Sequence, residues 1–402
     1  MYAADLDRHR PCIARLIAKG TDTKTDKRRK TRMGDSKSST NSYATILLAF
    51  VYALSLQFTV ACSQTPSEKE DSSRIRLTID TSEAEAVLAI LSLKRDGKPI
   101  TEEQWKKLFA TEPYERLKNR EAYIANHFHN SSLIFTDQNF RDFVLSDSLL
   151  KLAPELRSTL VHWQEANLQT AARKVLGYLP DSATIRAKVF PVIKPRTNSF
   201  VWESSTNPAI FLYIDPEVTG NKFANTVAHE LHHIGLASVN AQYEKMISPL
   251  PEKARTVAER MSSFGEGMAM LAAAGSPDLH PHEMSTMKDR ARWDHDMSNF
   301  GGNLRSVDTF FVDILSGKLA DQDSIETKGS SFYGIQGPWY TVGYTMCVVV
   351  EKRFGRGALI STMTDPRRLL LLYNQATKEE NDRGIFKRPL WTEHVLEQVG
   401  AK

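Results

Sequence analysis

The segment His229-Glu230-Leu231-His232-His233 constrains this chain more than any other feature of its sequence. On an α-helix, two imidazoles four residues apart lie one turn apart on the same face, where they can meet one ion. Both could then reach a Zn²⁺ at about 2.0–2.1 Å. Glu230, next to His229, projects about 100° around the helix, which suits it poorly as a ligand but well for reaching a water held on the ion. Phe223, Val227, Leu231 and Ile234 form an apolar stripe that would bury the helix and leave the histidine pair on another face. His232 is expected to face solvent or a neighbouring carboxylate. The plainer alternative is two satisfied or exposed histidines on an ordinary helix.

A catalytic zinc needs a third protein ligand and an open position for water. A further histidine in the metzincin manner is absent, because Gly235 comes one position early and Val239 stands where that histidine would be. The other solution is a glutamate from a later helix. The stretch Ser262-Ser-Phe-Gly-Glu-Gly-Met-Ala-Met270 supplies Glu266, 33 residues beyond His233. Gly265 and Gly267 would let this backbone approach the first helix closely, with Met268, Ala269 and Leu271 packing there. Glu259, His280 and His282 are the rival ligands.

The pairing of HELHH with GEGMA resembles the gluzincin branch of zinc peptidases, close to bacterial families of zinc-dependent peptidases, over roughly residues 180–350. That resemblance implies a zincin-like fold, a small sheet packed on the HExxH helix, with one zinc per chain. By position it would make Ala209–Ile214 the strand that aligns substrate, since an extended peptide can add to a free sheet edge. The longer gluzincin signatures around the ligand glutamate are missing here. Similar families take an oxyanion donor from their C-terminal helices, and Tyr340 and Tyr344, four apart and sharing a helix face, are the candidates.

The net charge of +4 would suggest an anionic partner if it belonged to the folded part. It does not: residues 1–61 hold 11 Lys and Arg against 5 Asp and Glu, leaving 41 basic and 43 acidic residues, a net charge of −2, in the remainder. A nucleic-acid partner therefore loses its main support. The basic excess precedes an apolar run, Ala44 to Ala61, which is followed at once by Cys62. This order reads as an export signal. Thr59-Val60-Ala61-Cys62 resembles the lipobox of bacterial lipoproteins, with Thr59 where Leu is usual, and implies a lipid on Cys62 and a periplasmic or cell-surface location. A single membrane anchor is the alternative, and Met33 offers a start that gives the signal ordinary proportions. After Cys62 only Cys347 remains, so the mature chain forms no internal disulfide unless Cys62 is free.

Residues 62–73 are polar and read as a tether. A helical region follows over 74–179, with a capping box at Thr101-Glu-Glu-Gln104 and a helix over Glu155–Leu176 that Gly177 and Pro180 stop. Residues 180–275 form the core, with strands at Ala183–Ile193 and Ala209–Ile214 and then the two motif helices. Residues 276–402 are a helical C-terminal region completing the cleft. The expected class is α+β with helix dominating. His127 and His129, two apart on a helix, point to different faces and read as surface. No phosphate-binding glycine loop and no Cys-x-x-Cys occurs, which leaves nucleotide and dithiol chemistry without footing. Hydrolysis of a peptide or protein is thus the leading expectation, followed by hydrolysis of a non-protein amide and by a binding lipoprotein on a peptidase fold.

Overall fold

The computed structural model describes residues 73–127, 135–204, 206–384 and 387–401. In chain order the elements begin with β1 (Ile75–Ile79), α1 (Ser82–Arg95), α2 (Glu102–Phe109), α3 (Glu112–His127), α4 (Asp137–Val144), α5 (Asp147–Gln164) and α6 (Leu168–Leu176). Three strands follow, β2 (Ile185–Val192), β3 (Phe200–Trp202) and β4 (Ala209–Tyr213), then α7 (Gly220–Ala237), α8 (Asn240–Ile247), α9 (Glu252–Met261) and α10 (Gly265–Ala274). The remainder is helical: α11 (Met287–Ser298), α12 (Phe300–Ser316), α13 (Gln322–Ser331), α14 (Pro338–Phe354), α15 (Arg356–Ser361), α16 (Pro366–Asp382) and α17 (Glu393–Gln398). The class is α+β with helix dominating, as expected. Among the described residues no helix is long and apolar enough to cross a membrane. Ala44–Ala61, Cys62 and His129 lie outside the described residues.

The sheet has the order β1-β2-β4-β3, with β1 and β4 parallel to β2 and β3 antiparallel to β4. Its residues alternate between two covered faces. Phe190, Val192, Ala209 and Phe211 pack with Leu117 of α3, whereas Ala187, Val189, Ile210 and Leu212 join the main core beside Phe223, Val227 and Leu231 of α7. Burial on both faces is why β2 and β4 read as nearly continuous apolar runs. β1, Ile-Arg-Leu-Thr-Ile, is a strand that the expected helical N-terminal region did not include, although its period-two alternation is visible in the sequence.

The expectation that Ala209–Ile214 offers a free edge is corrected. β4 is hydrogen-bonded on both sides, to β2 through Lys188–Val192 and to β3 through Phe200–Trp202. The edges belong to β1 and to the short β3, which folds back antiparallel and covers β4. The helix expected over Glu155–Leu176 is also divided. Asn167 accepts a hydrogen bond from the Thr170 amide at 2.9 Å, an N-cap that starts a new helix after α5 ends at Gln164. Glycine stops α10, with Gly275 in the left-handed region at φ +88°.

One buried acid in this frame has a testable consequence. Glu83, at the start of α1, is fully buried and accepts the Ile193 amide at 3.0 Å. Burial pushes its carboxyl up to about 8, against the hydrogen bond from Ile193 and the nearby Lys194. The folded chain therefore keeps a proton that the unfolded chain releases near pH 4.5, and stability falls as pH rises from there towards 8. Glu83→Gln keeps a hydrogen-bond acceptor and removes the titration. Urea unfolding should show the variant gaining on the parent by up to ~1.4 kcal/mol per pH unit between about pH 5 and 8. Parallel stability profiles would remove this assignment.

Candidate metal centre

α7 starts at the N-cap Thr219, whose hydroxyl accepts the Lys222 amide at 3.2 Å. Its apolar stripe is buried: Phe223, Val227 and Leu231 are at or below 1 % exposure and Ile234 at 3 %. The face between is less closed, and the side chains of His229 and His233 are 14 % and 12 % exposed. The helix is therefore held on one side and presents the pair on the other.

His232 does not face solvent or a carboxylate, which corrects the expectation. It is fully buried against the Tyr178 backbone, and neither ring nitrogen has a side-chain partner. The cause is the packing of α7 against α6 and the turn behind it: a methyl group added at Gly235 would stand 2.3 Å from Leu179 Cδ1. Burial, then the neighbouring His233 and His229, pushes the His232 imidazole down to about 3, so it is neutral at any physiological pH.

Glu266 is carried to the pair by the way α10 packs. Gly265 faces α7, where an added methyl would meet Leu236 at 3.9 Å. Gly267 faces elsewhere than expected, towards the C-terminal helix α14: an added methyl would lie 2.0 Å from the Tyr344 nitrogen and 2.3 Å from the Gly343 carbonyl carbon. Gly343 returns the contact, its own methyl position falling 2.7 Å from the Phe264 oxygen. α10 and α14 thus cross backbone against backbone, and the crossing draws together Glu266, the neighbour of Gly267 on α10, and Tyr340, three residues before Gly343 on α14.

Three atoms converge as a result. His229 Nε2 is 3.1 Å from His233 Nε2 and 3.2 Å from Glu266 Oε2, and His233 Nε2 is 3.3 Å from Glu266 Oε2. Among the described residues this is the group of His, Cys, Asp and Glu side chains arranged to hold a metal ion. A tetrahedral zinc with bonds of about 2.0–2.1 Å separates its ligand atoms by about 3.3–3.4 Å, so the triangle fits that ion with shifts of a few tenths of an ångström. The donor set, two imidazoles and a carboxylate, is one that zinc takes in open sites. Glu266 is nearly buried, which by itself raises its carboxyl, but the flanking His233 and His229 outweigh burial and hold it well below the usual range. It is a carboxylate, ready to bind a cation.

Tyr340 completes the cluster. Its ring lies parallel to His229 with centroids 6.3 Å apart, and its hydroxyl lies close enough to Glu266 to feel that charge. Burial, together with the charges of Glu266 and Glu230, drives the phenol well above its ordinary value, so the hydroxyl is a donor throughout the working range. Tyr344 is used otherwise: its hydroxyl donates to the Leu279 carbonyl at 3.3 Å and its ring meets Trp293 edge-on. The rival ligands are also engaged apart from the triangle. Glu259 is exposed beside Arg255, His280 bonds Asp294 at 2.9 Å, and His282 bonds Ser285 at 3.2 Å and Gln336 at 2.5 Å.

Sequence reasoning did not single out Lys222 or Gln336. Lys222 pairs with Asp289 of α11 at 2.8 Å and stands seven residues before His229, hence on the same stripe of α7; that spacing was the available signal. Gln336 had none, since its partner His282 is 54 residues away.

Residues 105–382 match the model of the family described as "Putative zinc dependent peptidase (DUF5700)". The chain belongs to this family. The matched stretch runs from α2 to the end of α16 and contains all three converging residues, Glu230 and Tyr340. No curated protein and no solved structure matches the chain.

Proposed function

We propose that this member of the family is a zinc-dependent metallopeptidase of the gluzincin type, in which His229, His233 and Glu266 hold one zinc and Glu230 is the general base. The observation that carries the reading is the triangle of ligand atoms set beside the one carboxylate of the HExxH segment that the triangle does not use. When bound, the zinc supplies Lewis acidity, lowering the pKa of water and polarising a carbonyl.

The chain's own residues do the rest. The Glu230 carboxylate takes a proton from the attacking water as its oxygen bonds to the scissile carbonyl carbon, and returns it to the amide nitrogen as the carbon–nitrogen bond breaks. Tyr340, protonated and aimed at the same centre, donates a hydrogen bond to the negative charge that builds on the carbonyl oxygen. Glu266, whose charge Tyr340 feels, is the group whose charge a bound cation would share.

The reading extends to place. The basic, apolar and Cys62 features of residues 1–62 support export and attachment to a membrane by a lipid on Cys62, with the catalytic region beyond the membrane. The test of the chemistry is hydrolysis of a mixed peptide library by the zinc-loaded chain beside Glu230→Gln. Cleavage by the parent and none by the variant is expected; equal cleavage by both would contradict the assignment.

A further inference from the structure

The backbone crossing of Gly267 and Gly343 fixes how close α10 and α14 come, but contact at one point leaves two helices free to pivot about it. A second tie lies ahead of the crossing. The Ser263 and Tyr333 hydroxyl oxygens are 3.1 Å apart, and either can donate. Ser263 belongs to the 3₁₀ turn Ser262–Phe264 that runs directly into α10, and Tyr333 to the connection that leads into α14. Along the chain Glu266 falls between Ser263 and Gly267, and Tyr340 between Tyr333 and Gly343. Both groups are therefore enclosed by the two ties.

Tyr333 is itself firmly placed. The Gly337 amide donates to its carbonyl at 2.7 Å, and a methyl group added at Gly337 would stand 2.7 Å from the same oxygen. Its ring meets Trp339 edge-on with centroids 6.5 Å apart, and the Trp339 indole donates to the Gly329 carbonyl at 2.8 Å. The side chain also reaches the metal centre, because the Tyr340 phenol, driven up first by burial and by Glu266, is raised further by Tyr333. Ser263 and Tyr333 are both half-buried, so these hydroxyls had water available as a partner. They instead join the starts of the two helices whose first turns carry Glu266 and Tyr340.

We propose that Tyr333 is a positioning residue which, through its bond to Ser263, sets the angle between α10 and α14 and so the placing of Glu266 and Tyr340 around the zinc. The inference rests on the zinc-peptidase reading and deepens it. A single neutral hydrogen bond adds little to the stability of a chain of this size, so its loss should register at the centre and not in the melting temperature. Groups that orient metal ligands change metal affinity or activity by about 10–100-fold when removed.

The experiment compares the full chain with Tyr333→Phe, Ser263→Ala and the double variant. Cobalt(II) is bound in place of zinc, its visible absorption reporting the geometry of the ligands, and zinc affinity is measured by competition with a chelator. Each single variant should shift the cobalt bands in the same direction and weaken zinc binding by about tenfold, with the melting temperature of the metal-free chain unchanged. The double variant should match either single one, because the same bond is broken in all three. A parental spectrum and affinity in Tyr333→Phe, effects of the two substitutions that add, or a metal-free chain that melts early in step with the lost affinity overturns the proposal.

These readings need no hydrolysis, so the peptidase reading is judged apart. With zinc saturating and a fluorogenic peptide chosen from those the parent cleaves, both single variants should lower kcat by about tenfold and leave KM unchanged. A raised KM at unchanged kcat would make Tyr333 a substrate-binding group and overturn its positioning role. A parent that binds metal and cleaves nothing sinks the peptidase reading alone, and the cobalt and zinc results then decide the role of Tyr333. A parent that takes up neither ion overturns both.

Discussion

Glu230→Gln is expected to keep its zinc and to hydrolyse peptides about 10²–10⁴-fold more slowly than the parent chain. The substitution preserves size and helix propensity but leaves an amide that cannot take a proton from water at neutral pH. Retention of zinc follows from the geometry, because the triangle is made by His229, His233 and Glu266 alone. The helix carrying them is anchored by Phe223, Val227 and Leu231, none of which the change touches. Initial rates on the peptides that the parent cleaves, with zinc counted by mass spectrometry on the same samples, give the answer. Rates within about threefold of the parent at equal zinc would remove Glu230 from its role as base, and loss of zinc would make it a ligand.

Gly267→Ala should damage the protein more broadly. The new methyl group would lie 2.0 Å from the Tyr344 nitrogen and 2.3 Å from the Gly343 carbonyl carbon, and both obstacles are backbone inside a helix. Neither can rotate away as a side chain can, so α10 and α14 must separate. Overpacking against movable side chains costs about 1–3 kcal/mol, and a backbone obstacle should exceed that range. The same displacement moves Glu266 and Tyr340 off the histidine pair, so zinc affinity should fall together with stability. Gly357→Ala is the matched control, because no heavy atom lies within 4 Å of its added methyl and it sits in the helix α15. Denaturation of both variants, followed by zinc titration of whatever folds, tests this. A Gly267→Ala chain as stable as the parent would mean that the helices do not cross where described.

The convergence of His229, His233 and Glu266 was legible in the sequence because each part depends on local rules. Two histidines one helical turn apart and a glutamate between glycines need only helices that approach closely. Which helices approach was not legible. Gly267 answers to Gly343, 76 residues on, and nothing in the spacing of either announces the other. His232 was misread for the same reason, since the turn after α6, with Tyr178 at His232 and Leu179 against Gly235, is not brought to α7 by local periodicity. The sheet divides in the same way. β2 and β4 are long enough to show as apolar runs, whereas the three residues of β3 are too few to show a period, and β3 is the strand that removes the free edge from β4. Asn167 starts a new helix within a pattern whose apolar spacing continues unbroken, so only its capping side chain marks the boundary.

Tyr340 and Tyr344 share a helix face, yet the first lies by Glu266 and the second reaches Leu279, because α10 and the connection after it present different groups to successive turns of α14.

The central claim is that two histidines and one distant glutamate make a single zinc site, and the most direct measurement is zinc bound per chain in the parent and in Glu266→Ala. The account predicts about one zinc in the parent, removed by a chelator and restored by added zinc, and its loss in the variant while helix content is kept. Zinc retained at the same affinity by Glu266→Ala, or none taken up by the parent, would contradict it.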